Sequence, residues 1–357
     1  MDDLTPLLQT FRGRRVLVTG STGFKGSWLC TWLVGLQAEV TGYALPPAED
    51  APLFGLLRLK DRIRQHFGDV RDLGALQRCF DAAKPEIVIH LAAQSLVRRG
   101  YAEPKLTFDT NIGGSVNLLE AVRATFEVKA LVFITSDKCY LNKEWDRAYR
   151  EDDQLGGEDP YSSSKAAAEL VFACYQSAYL KSRRDFGAAS ARAGNVIGGG
   201  DRALDRIVPD CIRALEAKAP IKLRHPQAIR PWQHVLEPVS GYLTLAARLF
   251  AGEEAPRGSW NFAPDPRNAH TVQDVAERIV HDWGHGQVVI APEAGGQHEA
   301  QLLILSSDKA KAELGWYPRW GFSDAVGKTV EWYRQVGAGA DPVGVTERQI
   351  TEYLAHP

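Results

Sequence analysis

No apolar run in this chain reaches the length of a membrane span. No tract of Lys and Arg offers a footprint for nucleic acid, and the charges nearly cancel at a net −2. The opening MDDLTPLLQTFRGRR puts acids first with no apolar core of the right length behind them, so a secretory signal is not expected. Cysteine is sparse. Cys30, Cys79, Cys139, Cys174 and Cys211 are odd in number and scattered, with neither CxxC nor zinc spacing. That argues against a disulfide framework and for a reduced, cytoplasmic compartment, the thiols packing as small apolar groups. Nine histidines do not cluster; the pair His281 and His285 has Gly284 between them, so metal catalysis is not expected. What is present, 45% hydrophobic and 24% charged residues in a 357-residue chain, suffices for a sizeable core and one or two domains.

The first two hundred residues alternate short β-branched runs with longer helical patterns. Strands are expected over 15–19, 39–43, 63–67, 87–91, 130–135 and 188–191, and helices over 27–36, 73–83, 107–123 and 161–179. That rhythm is the βαβ rhythm of a parallel sheet with helices on both faces, and runs such as IVIHLAA and ALVFIT suit strands covered on two sides. Beyond about residue 192 the rhythm loosens into glycine- and proline-containing stretches, with later helices near 271–282, 308–314 and 322–336. The expectation is an α/β fold: a Rossmann-type doubly wound parallel sheet with a smaller C-terminal substrate-binding lobe. Residues 1–191 and roughly 231–263 form the dinucleotide domain in this reading, and 192–230 with 264–357 the lobe.

VLVTGSTGFKG places Gly20, Gly23 and Gly26 between the first strand and the first helix. Such a turn must be tight, must let backbone approach a pyrophosphate, and must let the helix pack on the strand. Thr22, Phe24 and Lys25 belong to the same turn. The GxxGxxG spacing resembles that of extended short-chain dehydrogenases. No acid stands at the end of the second strand to hold the adenosine ribose, and Lys25 adds a cation, so NAD is expected with NADP left open. Asp69 and Val70 end the third strand, where the acid could meet the adenine edge or simply cap a helix. Leu91, Ala92, Ala93 and Gln94 end the fourth, with small residues that let backbone pass close to a cofactor.

Tyr161 and Lys165 in YSSSK fall four apart, on one helical face. A Tyr hydroxyl titrates ordinarily near 10; a neighbouring ammonium and a positive nicotinamide would both favour its phenolate, making Tyr161 a base. Lys165 would also bond the nicotinamide ribose. The fifth strand ends in Thr135-Ser136-Asp137-Lys138, and Ser136 stands where a hydroxyl should meet a sugar oxygen beside Tyr161. Asp137 and Lys138 can both face that sugar only if the chain turns after Ser136, because a regular strand would send them to opposite sides.

This combination resembles the sugar-nucleotide 4,6-dehydratases of the extended short-chain dehydrogenase/reductase type. Most of these carry Thr-Asp-Glu at the strand end; the CDP-glucose 4,6-dehydratases carry Ser-Asp-Lys, as here. TGFKGSWL, PYSSSKAAAEL, ARAGNVIGGGD, RIVPDCIRAL, RPWQHVLEPVSGYL and HEAQLLILSSDKAKAELGW are similar to the same family and span residues 19 to 316. GGGDRALDR, where an aromatic usually follows GGGD, and the segment 141–158 depart from its pattern. The resemblance implies that Tyr161 takes the proton of the glucose O4 while C4 is oxidised by NAD⁺. It further implies that Lys138 removes the C5 proton or stabilises the enolate, that Asp137 protonates the leaving C6 hydroxyl, and that hydride returns to C6 and a proton to C5. Whether Lys138 is base or electrostatic clamp stays open. For the nucleotide, Asn195, Arg230, Arg192, Ser95 and His298 (with Glu299) are candidate contacts, the cations suiting a diphosphate. A sugar-nucleotide 4-epimerase, or a dehydratase for another nucleotide sugar, is the alternative. The helix after Tyr161 is apolar on nearly all sides, which with 107–123 predicts a homodimer through a four-helix interface or else a buried position within the chain.

Overall fold

A computed structural model describes residues 7–48, 52–265, 269–291 and 302–356. Seven strands form one parallel sheet: β1 (Arg15–Thr19), β2 (Glu39–Ala44), β3 (Arg64–Phe67), β4 (Ile87–His90), β5 (Ala130–Ile134), β6 (Gly187–Arg192) and β7 (Gly258–Asn261). Their order is 3-2-1-4-5-6-7. The reversal falls between β1 and β4, and in sheets of this kind ligands bind outside the strand ends at that reversal.

Among the described residues ten helices of seven residues or more position the rest: α1 (Phe24–Gly35), α2 (Leu73–Ala83), α3 (Gly114–Ala124), α4 (Pro160–Tyr175), α5 (Ile207–Glu216), α6 (Leu236–Phe250), α7 (Val272–Trp283), α8 (Asp308–Leu314), α9 (Phe322–Gly337) and α10 (Pro342–Ala355). The near-continuous apolar strands are explained by burial on both faces. Val16 and Val18 of β1, Ile87 and Ile89 of β4, and Val132 of β5 join one apolar cluster with Trp28, Trp32 and Leu33 of α1 and Val239 and Leu243 of α6. The alternate residues Leu17, Val88, Leu131 and Phe133 join another with Phe80 of α2, Leu118 and Val122 of α3 and Phe172 of α4. Each such fully buried side chain contributes roughly 1.5–3 kcal/mol.

The first cluster does not stop at the sheet. It continues through Ile212 of α5, Ile279 of α7, Val330 and Trp332 of α9 and Tyr353 of α10. The expected single helix over 107–123 is instead Pro104–Phe108, a wide turn at Asp109–Gly113, and α3. The helix expected to reach 179 ends at Tyr175, followed by a second wide turn, Gln176–Leu180. Wide turns of this π type place an extra residue in the helix and are frequent beside functional sites. The one at 109–113 carries Asn111, whose importance appears below.

Glu237 in the first turn of α6 is fully buried and fastens the C-terminal segment. Its carboxylate accepts from the backbone N–H of Arg319 (3.0 Å) and Trp320 (2.7 Å) and from the Tyr353 hydroxyl (2.8 Å). Burial pushes this carboxyl up from 4.5 to about 7. The native state therefore holds a proton that the unfolded chain has released, and that contribution to stability is lost as pH rises from about 4.5 to about 7. Glu237→Gln should remove this slope. Melting temperatures across that window should fall more steeply in the wild type than in the variant; parallel profiles would contradict the assignment.

Candidate active site

The turn after β1 is built for close approach. Gly20 has φ of 73°, and a Cβ on it would lie 2.8 Å from the Ala92 nitrogen. A Cβ on Gly26 would lie 2.1 Å from the Gly20 carbonyl oxygen. Gly23 caps α1 without a side chain, and no acid stands in its first turn. The helix thus presents unpaired N–H groups and its positive end to the cleft, which fits a pyrophosphate. Thr22 closes the turn by donating to the Leu45 carbonyl (3.0 Å). Gly20, Thr22, Gly23, Phe24, Lys25, Gly26, Asp69, Val70, Leu91, Ala92, Ala93 and Gln94 all line one cleft of about 810 Å³. Asp69 is also engaged by Arg71, through its backbone N–H (2.9 Å) and its guanidinium. Lys25 is pushed down to about 8 by burial, with Arg206 next in effect.

Across the cleft Tyr161 and Lys165 stand on one face of α4, whose first turn is capped by Asp159. Burial pushes the Tyr161 phenol up to about 12, with the Ser136 hydroxyl pulling it the other way. Burial also pulls Lys165 down to about 8. The protein's own groups thus hold Tyr161 as a neutral phenol; the opposing pull would come from a positive nicotinamide beside it.

The chain does turn after β5. Ser136 is extended, and Asp137–Cys139 form one 3₁₀ turn. The Ser136 oxygen accepts from the Lys138 N–H (3.2 Å), while its hydroxyl donates to Asp137 Oδ1 (2.8 Å). Ser136, Asp137 and Lys138 consequently all line the cleft with Tyr161 and Lys165. Asp137 is only 3% exposed, and its Oδ2 is buried with no hydrogen-bond partner among the described residues. Gly194 makes room for it: a Cβ there would fall 2.4 Å from that oxygen. Buried polar atoms are nearly always paired, so this buried oxygen, on a residue that lines the cleft, stands out.

Ser95, Asn195 and Arg230 line the same cleft. Arg192 does not. It is 2% exposed, and Glu169 takes its guanidinium through Nε (3.0 Å) and Nη2 (2.8 Å), so it is a structural cation rather than a nucleotide contact. His298 and Glu299 lie outside the described residues. Two residues escaped the sequence reading. Asn111 Nδ2 donates to the Gln94 carbonyl (2.9 Å) and to Ser164 Oγ (2.8 Å), joining the β4 end to α4. Arg206 reaches from the lobe, paired with Asp201 (2.9 Å) and 3.4 Å from Ser95 Oγ. Asn111 sits in a helix irregularity that no periodicity marks; Arg206 shows only as one of several basic residues in a loop.

A phosphate-accepting glycine turn, a Tyr-xxx-Lys helix and a Ser-bearing strand end around one cleft define an extended short-chain dehydrogenase/reductase. Within that class the model for GDP-mannose 4,6 dehydratase matches residues 17–329, and the chain belongs to that family. It is 44% identical over 349 residues to CDP-glucose 4,6-dehydratase of Salmonella typhimurium, covering 97% of each. UDP-glucose 4-epimerase of Thermus thermophilus, solved with NAD, superposes with TM-score 0.74 at 26% identity, over 90% of this chain and 99% of that one. The dTDP-glucose 4,6-dehydratase DesIV of Streptomyces venezuelae, with NAD and TYD bound, shares the fold: TM-score 0.77, 24% identity, 92% and 99% coverage.

Proposed function

We propose that the protein is an NAD-dependent CDP-glucose 4,6-dehydratase, forming CDP-4-keto-6-deoxyglucose and water. The observation that carries the reaction type is the turn at 136–139. It brings an acid and an amine to the cleft that holds Tyr161. An epimerase on this fold needs Tyr161 and the cofactor but neither Asp137 nor Lys138. The 44% identity over nearly the whole chain supports CDP-glucose as substrate.

The glycine turn, Asp69, the β4 end and Lys165 would hold the dinucleotide. When bound, its nicotinamide supplies the oxidant for C4 and the reductant for C6. Tyr161 takes the O4 proton, with Ser136 beside the same oxygen. The C4 ketone acidifies C5–H, and Lys138 receives that proton or stabilises the charge it leaves. Asp137 gives a proton to the C6 hydroxyl as water departs, and with C6 reduced a proton returns to C5 to complete the 4-keto-6-deoxy sugar. Asn195, Arg230 and Ser95 orient the diphosphate end of the substrate.

A homodimer through α3 and α4 belongs to the same reading. Leu170 of α4, 61% exposed, and Tyr179 just beyond it, 51% exposed, are large side chains that such an interface would cover. A monomer in sedimentation at micromolar concentration would remove this element. Five unpaired thiols support a reducing, cytoplasmic setting. Incubation with CDP-, GDP-, UDP- and dTDP-glucose, followed by mass spectrometry, tests the whole. CDP-glucose should lose the mass of one water. An isomer of unchanged mass would sink the dehydratase reading in favour of the epimerase.

A further inference from the structure

Glu169 lies four residues beyond Lys165 and eight beyond Tyr161, on the same face of α4, yet it does not line the cleft. It is 2% exposed and accepts from four donors: the Thr135 hydroxyl, Ser190 Oγ (2.8 Å), and Arg192 through Nε and Nη2. Arg192 in turn donates through Nη1 to the Tyr140 hydroxyl (2.7 Å) and to the Glu151 carbonyl (3.1 Å). The Tyr140 hydroxyl itself donates to Asn261 Oδ1 (2.8 Å). Thr135 immediately precedes the turn that carries Ser136, Asp137 and Lys138, and Tyr140 immediately follows it. Both flanks of that turn are therefore fastened to one ion pair, and the acid of the pair is part of the helix that carries Tyr161 and Lys165.

A buried pair of this kind contributes little net stability, since desolvation offsets most of the attraction. What it supplies is a fixed distance between two sets of groups. We infer that Glu169 and Arg192 are positioning residues that hold the Asp137–Lys138 turn in register with the Tyr161–Lys165 helix, and so serve the elimination step more than the oxidation at C4. Asp137 has one anchor of its own, the Ser136 hydroxyl; the turn as a body depends on its two flanks. A small displacement there moves acid and amine from the sugar while leaving Tyr161 beside the nicotinamide site.

The inference rests on the dehydratase reading, and the experiment separates the two. Glu169→Gln and Arg192→Lys, with the milder Thr135→Val and Tyr140→Phe, would be compared with wild type in single turnovers of CDP-glucose. Reduced-nicotinamide absorbance, product mass and melting temperature would be recorded together. The first two variants should slow elimination by about tenfold to a hundredfold while C4 oxidation changes far less, so that reduced nicotinamide builds up. The milder variants should show the same split at about threefold, near the wild-type melting temperature. They decide the matter if loss of the ion pair prevents folding. Equal slowing of both steps, or wild-type elimination in both milder variants, overturns the inference alone. Wild-type protein that yields no dehydrated product overturns the dehydratase reading and the inference with it.

Discussion

Lys138→Met is expected to abolish dehydration while a single turnover still oxidises C4. Methionine keeps most of the stem and removes the ammonium. Nothing that positions the other groups is lost, because the turn uses the Lys138 backbone N–H and not its side chain. Ser136, Tyr161 and Lys165 retain the first step. Loss of a positioned proton-transfer group costs about 10²–10⁴ in rate, and here the whole loss should fall on the second step. Reduced nicotinamide should accumulate to nearly one equivalent per site, and no product lighter by one water should form. Loss of both steps in equal measure would assign Lys138 to the oxidation instead.

Gly194→Ala should reach the same step without touching a chemical group. Gly194 has no left-handed φ, so alanine fits its backbone. The added methyl, however, would stand 2.4 Å from Asp137 Oδ2, 2.9 Å from its Cγ and 3.3 Å from Pro231. The carboxyl must swing, and its other oxygen is held by Ser136. Misplacement of this size costs about a hundredfold in the step that uses the group, against an overpacking cost of about 1–3 kcal/mol in stability. The check is kcat for keto-sugar formation beside a melting curve, repeated in an Asp137→Asn background. There the alanine should add little further loss; full additivity would mean that it acts elsewhere.

Much of this was legible in the residues. α2 and α8 occupy the spans that periodicity indicates, and the apolar runs of β1, β4 and β5 announce strands covered on two faces. The glycine turn and YSSSK are marked by local spacing, and the structure brings both to one cleft. Helices α5, α6 and α10 were not read as elements, and each has a proline in its first turn: Pro209, Pro238 and Pro342. Proline there sacrifices no hydrogen bond, yet in a bare sequence it looks like a breaker. Arg192 was offered as a nucleotide contact because its charge suits a diphosphate; its partner, Glu169, sits on a helix more than twenty residues earlier. Long-range charge pairing leaves no trace in spacing.

The unbroken apolar cluster beneath sheet and lobe bears on how a nucleotide sugar gets in. Swinging residues 264–357 aside as a body would part Tyr353 from Trp32 and Trp316 from Phe262, wetting these large side chains at roughly 1.5–3 kcal/mol apiece. Parting of two independent halves is therefore costly in this molecule, and passage of a ligand by way of the segments that border the cleft mouth is the expectation that follows.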